Sequence, residues 1–149
     1  MTTVRLADSA ASTTRPRRTA ASTGLTQAQL VLAKRMPEQG SPDALLESCI
    51  DLIHRRRLVV AHFRPAFSAA KGGRWITPVA GDGKGFPDLV IAGGRWLLVR
   101  ELKSWTGQVT AEQRTWLDAM TQSGVDVDVW TPLEWFNGTI TRELDEVAW

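Results

Sequence analysis

The sequence predicts an α/β domain, a mixed β-sheet flanked by helices in the order α-β-β-β-α-β-α. Three observations carry that prediction. Two apolar runs, "DLVIA" and "RWLLVRELK", flank Gly93-Gly94, a two-residue hairpin signal. A capped helical segment starting at Thr110 and an alternating strand, "VDVDVW", follow them, and a strand, a helix and a strand in that order imply a right-handed parallel crossover beside the hairpin. Ahead of the hairpin, Leu45, Leu46, Cys49, Ile50, Leu52 and Ile53 recur at helical spacing.

Taken in order, residues 1 to about 24 are rich in Thr, Ala, Ser and Arg and lack an apolar period. They cannot repay their ordering entropy by burial. "LTQAQLVLAKRM" has the makings of a short helix before "PEQGSP" interrupts it. Residues 1–40 are thus read as a basic, largely disordered tail and 41–149 as the domain. Ser41-Pro42 supplies an N-cap and a first-turn proline to a helix of about four turns ending in Arg55–Arg57. Asp43 and Glu47, four apart, share one face of it. "LVVAHF" reads as a short strand, and Pro65 to Gly85 as a long segment with few strand or helix signals, of the kind that is usually functional or disordered. Thr110 with Gln113 makes a capping box for a helix through about Gln122, ended by Gly124. Val125, Val127 and Val129 then point inward, and Thr131-Pro132 with Glu134 starts a last short helix.

Composition narrows the function. The chain has 149 residues, 43% of them hydrophobic, enough for one domain with a real core. No apolar run approaches membrane-spanning length, and the N-terminus lacks the apolar region of a signal peptide, so a cytoplasmic protein without a membrane partner is expected. Cys49 is the only cysteine and His54 and His62 the only histidines. That excludes an intrachain disulfide and a conventional structural zinc site. Any metal would need oxygen ligands, which points to magnesium or manganese. The net charge is +2, but Arg55, Arg56, Arg57, Arg64, Lys71, Arg74 and Lys84 face only Asp82 between positions 55 and 84. Such a block suits a polyanion, and equally a solvated face.

The chemistry concentrates between Gly81 and Ser104. Strand alternation puts Leu97, Val99, Glu101 and Lys103 on one face, and Trp96, Leu98, Arg100 and Leu102 on the other. The hairpin brings Asp88 alongside Glu101. Two adjacent carboxylates repel unless they share a proton or a divalent cation, and Lys103 sits where a bound water could be oriented. Gly81–Gly85 has the glycines of a phosphate loop, but no Ser or Thr follows Lys84 and a strand comes next, which excludes a nucleotide-binding P-loop.

Gly85-Phe86-Pro87-Asp88 followed by Glu101-Leu102-Lys103 resembles the PD-(D/E)XK nuclease motif, and the surrounding sequence is similar to the VRR-NUC branch of that superfamily. The likeness extends through "AHFRPA", "GDGKGFPDLVI", "ELKS", "GQVTAEQRTWLDAM" and "VDVDVWTP", roughly residues 43–135. It implies a restriction-endonuclease-like core and a Mg²⁺-dependent (or Mn²⁺-dependent) DNA endonuclease. Asp88, Glu101 and the backbone carbonyl of Leu102 would hold the metal, Lys103 would serve the reaction, and Gln113, besides capping its helix, would assist. The family's first-helix acid falls on Asp43 or Glu47. Similar small proteins are common in phage and bacterial genomes, and some act on branched DNA, including Holliday junctions, in replication, recombination and repair. The seven cations would hold the DNA backbone, favouring recognition of shape over base sequence. A nucleic-acid-binding module without turnover, or an accessory nuclease subunit directed by a partner, is the alternative. Finally, Trp135, Phe136, Ile140, Leu144 and Trp149 exceed what one short helix can bury. They would form a homodimer surface or close the sheet within a monomer.

Overall fold

The structure, a computed structural model, describes residues 42–63, 66–68, 72–76, 81–94 and 96–148, with Gln27 and Val31 besides. Those last two are helical, at positions inside the expected short helix. The rest of the expected tail lies outside the described residues, as do Arg64 and Lys71.

Helix α1 spans Pro42–Arg55. Leu45, Leu46, Cys49 and Ile53, spaced along one stripe, are buried, while Asp43 and Glu47 are exposed. The helix stops because Arg57 turns to φ 58, letting the amides of Arg57 and Leu58 reach back to the carbonyls of His54 (2.9 Å) and Ile53 (3.2 Å). This is the left-handed closure that glycine usually supplies.

Strand β1 (Val59–His62) follows, then β2 (Ala66–Ser68) and β3 (Arg74–Ile76), β4 (Leu89–Gly93) and β5 (Trp96–Leu102). Helix α2 (Ala111–Gln122), strand β6 (Asp126–Trp130) and helices α3 (Pro132–Phe136) and α4 (Thr139–Val147) complete the chain. The main sheet has the order β1-β4-β5-β6. β1 and β5 run antiparallel to β4, and β6 runs parallel to β5. This is the mixed sheet with flanking helices that the hairpin and crossover signals predict.

Two elements depart from expectation. The segment read as having few strand or helix signals contains β2 and β3, a separate antiparallel pair. Strands of three residues are too short for alternation to be read in sequence, although Phe67 opposite Trp75 is a pair of β-forming residues. The single last helix is two helices, broken at Gly138 with φ 76.

The two faces of the sheet carry different loads. Leu89, Ile91, Leu98, Leu102 and Trp130 form one buried cluster with the α1 stripe and with Ile140, Leu144 and Val147 of α4. Val99 and Leu117 are buried outside that cluster, on the face beneath α2. Ile140 and Leu144 are fully buried within the single chain, and Trp135 packs half-buried against the core. Phe136 stacks on Trp105, with centroids 5.9 Å apart. Of the apolar C-terminal residues offered above as dimer surface, Ile140 and Leu144 are therefore spent inside the fold, Trp135 and Phe136 are only partly buried, and Trp149 lies outside the described residues.

Candidate active site

The register pairs Leu89 with Arg100 at the end of the β4–β5 ladder, so the next residues outward are Asp88 and Glu101, both on the α2 face. Asp88 is pinned by accepting the Leu102 amide on Oδ2 (2.8 Å). Glu101 is 1% exposed. Its Oε1 takes the Lys103 ammonium at 3.0 Å and a hydrogen bond from Gln113 Nε2. Gln113 Oε1 in turn accepts from Lys103 Nζ (2.8 Å) and from the Thr110 amide (2.9 Å). The capping box that starts α2 thus doubles as a bridge between Glu101 and Lys103.

Burial and the neighbouring negative charge of Asp88 push the Glu101 carboxyl up to about 7, against the opposing pull of Lys103. Its second oxygen, Oε2, is buried with no hydrogen-bond partner. Two ionised carboxylates cannot donate to each other, so their contact is satisfied only by a proton or a cation. An unpaired buried carboxylate oxygen costs several kcal/mol.

The other expected residues are distributed unevenly. Asp43 and Glu47 sit on the solvent side of α1, whose buried stripe packs on the sheet face opposite Glu101. Among the described residues, no three of His, Cys, Asp and Glu gather as a metal-holding group. The first-helix acid implied by the resemblance does not join Asp88 and Glu101 here. Lys84 is highly exposed and paired with Glu112, whose carboxyl it holds down to about 2. Arg55 pairs with Asp51 (2.6 Å) and Arg56 with Asp145 (2.6 Å). Arg55–Arg57 precede β1, whose first residue, Val59, pairs with Ala92. They stand beyond the far end of β4 from Asp88, a strand length of about 13 Å. Nothing is described of the side chain of Arg74. A shallow cleft of about 250 Å³ between α2 and β6, lined by Leu117, Thr121 and Val127 among others, includes none of Asp88, Glu101, Lys103 and Gln113.

Sequence reasoning missed what lies behind Glu101. Arg100, 1% exposed, uses all five of its N–H bonds. Nε and Nη2 go to Glu143 Oε2 (3.2 and 2.9 Å), Nη2 to Asp126 Oδ1 (2.9 Å), and Nη1 to the carbonyls of Val99 and Asp126 (3.0 and 2.8 Å). Trp130 donates Nε1 to the same Glu143 oxygen (3.1 Å), and its ring centroid lies 5.3 Å from the guanidinium. The signal was an arginine alternating with Leu98 and Leu102 on a buried face, which demands buried carboxylates.

No protein-family model, curated protein or solved structure matches the chain.

Proposed function

We propose that the chain is a metal-dependent DNA endonuclease with a restriction-endonuclease-like core, acting through Asp88, Glu101, Lys103 and Gln113. The observation that carries this reading is the buried, partnerless Glu101 Oε2 beside Asp88, with an ammonium and an amide fixed on the other oxygen. A donor set of hard carboxylate oxygens fits Mg²⁺ or Mn²⁺, with Asp88, Glu101 and the Leu102 carbonyl as the residues that would hold it. When bound, such an ion supplies neutralisation of phosphate charge and acidification of water.

The chain's own groups do the rest. Glu101 fixes Lys103, and Gln113 holds both, so that the ammonium stays beside the carboxylate, its side chain only 14% exposed. There it orients a water for in-line attack and offsets charge developing on the phosphate. Lys84, at the same end of the sheet, would meet the DNA backbone by exchanging Glu112 for phosphate. Contacts of this kind read phosphate rather than base sequence, and branched DNA such as a four-way junction, the substrate class that the resemblance implies, is the substrate proposed.

The separation of Asp43 and Glu47 from the carboxylate pair favours one second reading, a nucleic-acid-binding module or accessory subunit without turnover. Labelled duplex, flap, single-stranded and four-way-junction DNAs, incubated with Mg²⁺ or with EDTA, separate the two. Mg²⁺-dependent products support the nuclease; retention on DNA with no product under any condition supports the module.

A further inference from the structure

The stretch from Gly81 to Pro87 lies against the first turns of α2. Lys84 pairs with Glu112. Trp116 Nε1 donates to the Asp82 carbonyl (2.8 Å). Phe86 packs edge-on against Trp116 (centroids 5.0 Å) and against Phe63 (4.9 Å). At the centre of this contact is Gly85, with φ +80. A Cβ there would lie 2.5 Å from the backbone carbon of Glu112 and 2.7 Å from the amide nitrogen of Gln113. Those atoms are helix backbone, so a side chain at 85 is accommodated only by moving the helix or the loop. The loop then passes through buried Pro87 directly into Asp88.

We propose that Gly85 is a positioning residue for the carboxylate site: lacking a side chain, it lets the loop rest on the Glu112–Gln113 backbone and sets where the first turn of α2 stands, and with it the Gln113 bridge between Glu101 and Lys103. It acts through Gln113 and touches no reacting atom. The geometric part stands on its own; its effect on cleavage rests on the proposed function.

Gly81 provides the control. It also has positive φ, +71, but a Cβ there would meet nothing within 4 Å. Alanine at either position imposes a similar backbone strain, and only alanine at 85 also pushes on α2. The test compares the full chain with Gly85→Ala and Gly81→Ala by NMR of the Gln113 side-chain amide in EDTA, and by DNA cleavage kinetics in Mg²⁺. In Gly85→Ala the Gln113 amide should move toward the position and fast exchange of a solvent-exposed glutamine. In Gly81→Ala it should stay at the wild-type position. Cleavage by Gly85→Ala should fall about 10²-fold in kcat, the cost of an ångström-scale misplacement, with KM for DNA unchanged. Should Gly85→Ala not fold, Trp116→Phe, which removes the bond to the Asp82 carbonyl and keeps an aromatic ring, should shift the Gln113 amide in the same direction. A wild-type Gln113 amide in Gly85→Ala, or in Trp116→Phe where that variant stands in, overturns the proposal, as does an equal shift in Gly81→Ala. If the wild type cleaves no DNA, the nuclease reading fails and the Gln113 amide still decides the role of Gly85.

Discussion

Asp88 stands beside Glu101 at the ends of two antiparallel strands, and of the two Glu101 oxygens only Oε1 has a hydrogen-bond partner. The arrangement is electrostatically unbalanced: Lys103 is close, yet the carboxyl is still pushed up to about 7. Asp88→Ala, Glu101→Ala and Lys103→Ala should each reduce Mg²⁺-dependent cleavage by about 10²–10³-fold, the usual scale for losing one electrostatic element of a site. Circular dichroism should remain that of the wild type, because none of the three belongs to the apolar cluster. Full activity in any one of the purified variants would remove that residue from the site.

The same imbalance has a signature in stability. The folded protein binds the Glu101 proton more tightly than the unfolded chain, whose carboxyl titrates near 4.5. Between about 4.5 and 7 the folded state therefore holds more protons, and stability should decline as pH rises through that window and level off above it. In EDTA, denaturant titrations from pH 4 to 8 should record this decline in the wild type and a flatter profile in Glu101→Gln. At pH 8, added Mg²⁺ should raise the wild-type Tm, as a ligand binding only the folded state does, and leave that of Glu101→Gln where it was. Parallel pH profiles for the two proteins would contradict the assignment.

On the opposite side of β5, Arg100→Met should cost about 3–5 kcal/mol, since it removes the buried cation that pairs with both Asp126 and Glu143. Urea unfolding measures this. Adding Glu143→Gln to Arg100→Met should recover part of the loss, because fewer buried charges are left unpaired. A double variant no more stable than Arg100→Met would show that Glu143 is not the stranded partner.

Arg57 closes α1 with φ 58, a conformation that favours glycine. Arg57→Gly should leave stability unchanged or raise it by about 0.5–1 kcal/mol, while lowering DNA affinity in low salt if this end of the sheet meets the backbone. Thermal melts and a salt titration of binding read the two effects separately. A lowered Tm would mean that the arginine side chain contributes more than its backbone strain removes.

Asp43→Ala and Glu47→Ala should each leave cleavage unchanged, because α1 buries its apolar stripe on the sheet face away from Glu101. A loss in either variant matching that of Asp88→Ala would show that the first helix supplies a ligand after all.

The site was legible in sequence where its chemistry follows from strand alternation and a short turn. Asp88, Glu101 and Lys103 lie within sixteen residues of one another, and the period of two with the hairpin register places them together. Gln113 was legible because Thr110 three residues earlier announces a helix start, whereas its contact with Glu101 depends on how α2 lands on the sheet. Which face α1 covers is a tertiary choice, so the spacing of Asp43 and Glu47 could place them on a common face but not decide which way that face points. The hairpin of β2 and β3 escaped because its strands are shorter than any period. The second C-terminal helix escaped because only the start at Thr131-Pro132 carries a capping signal; the helix after Gly138 has no side-chain cap to announce it.

Cys49 is the chain's only cysteine. It lies fully enclosed under α1, its thiol pushed up to about 12 by burial. A thiol that is both sealed off and held in its unreactive form is inert while the helix stays docked. Alkylation of this single thiol can proceed only when α1 lifts from the sheet, so its rate is an internal clock for opening of the fold. The molecule carries its own timer for how often the α1 stripe comes away from the core.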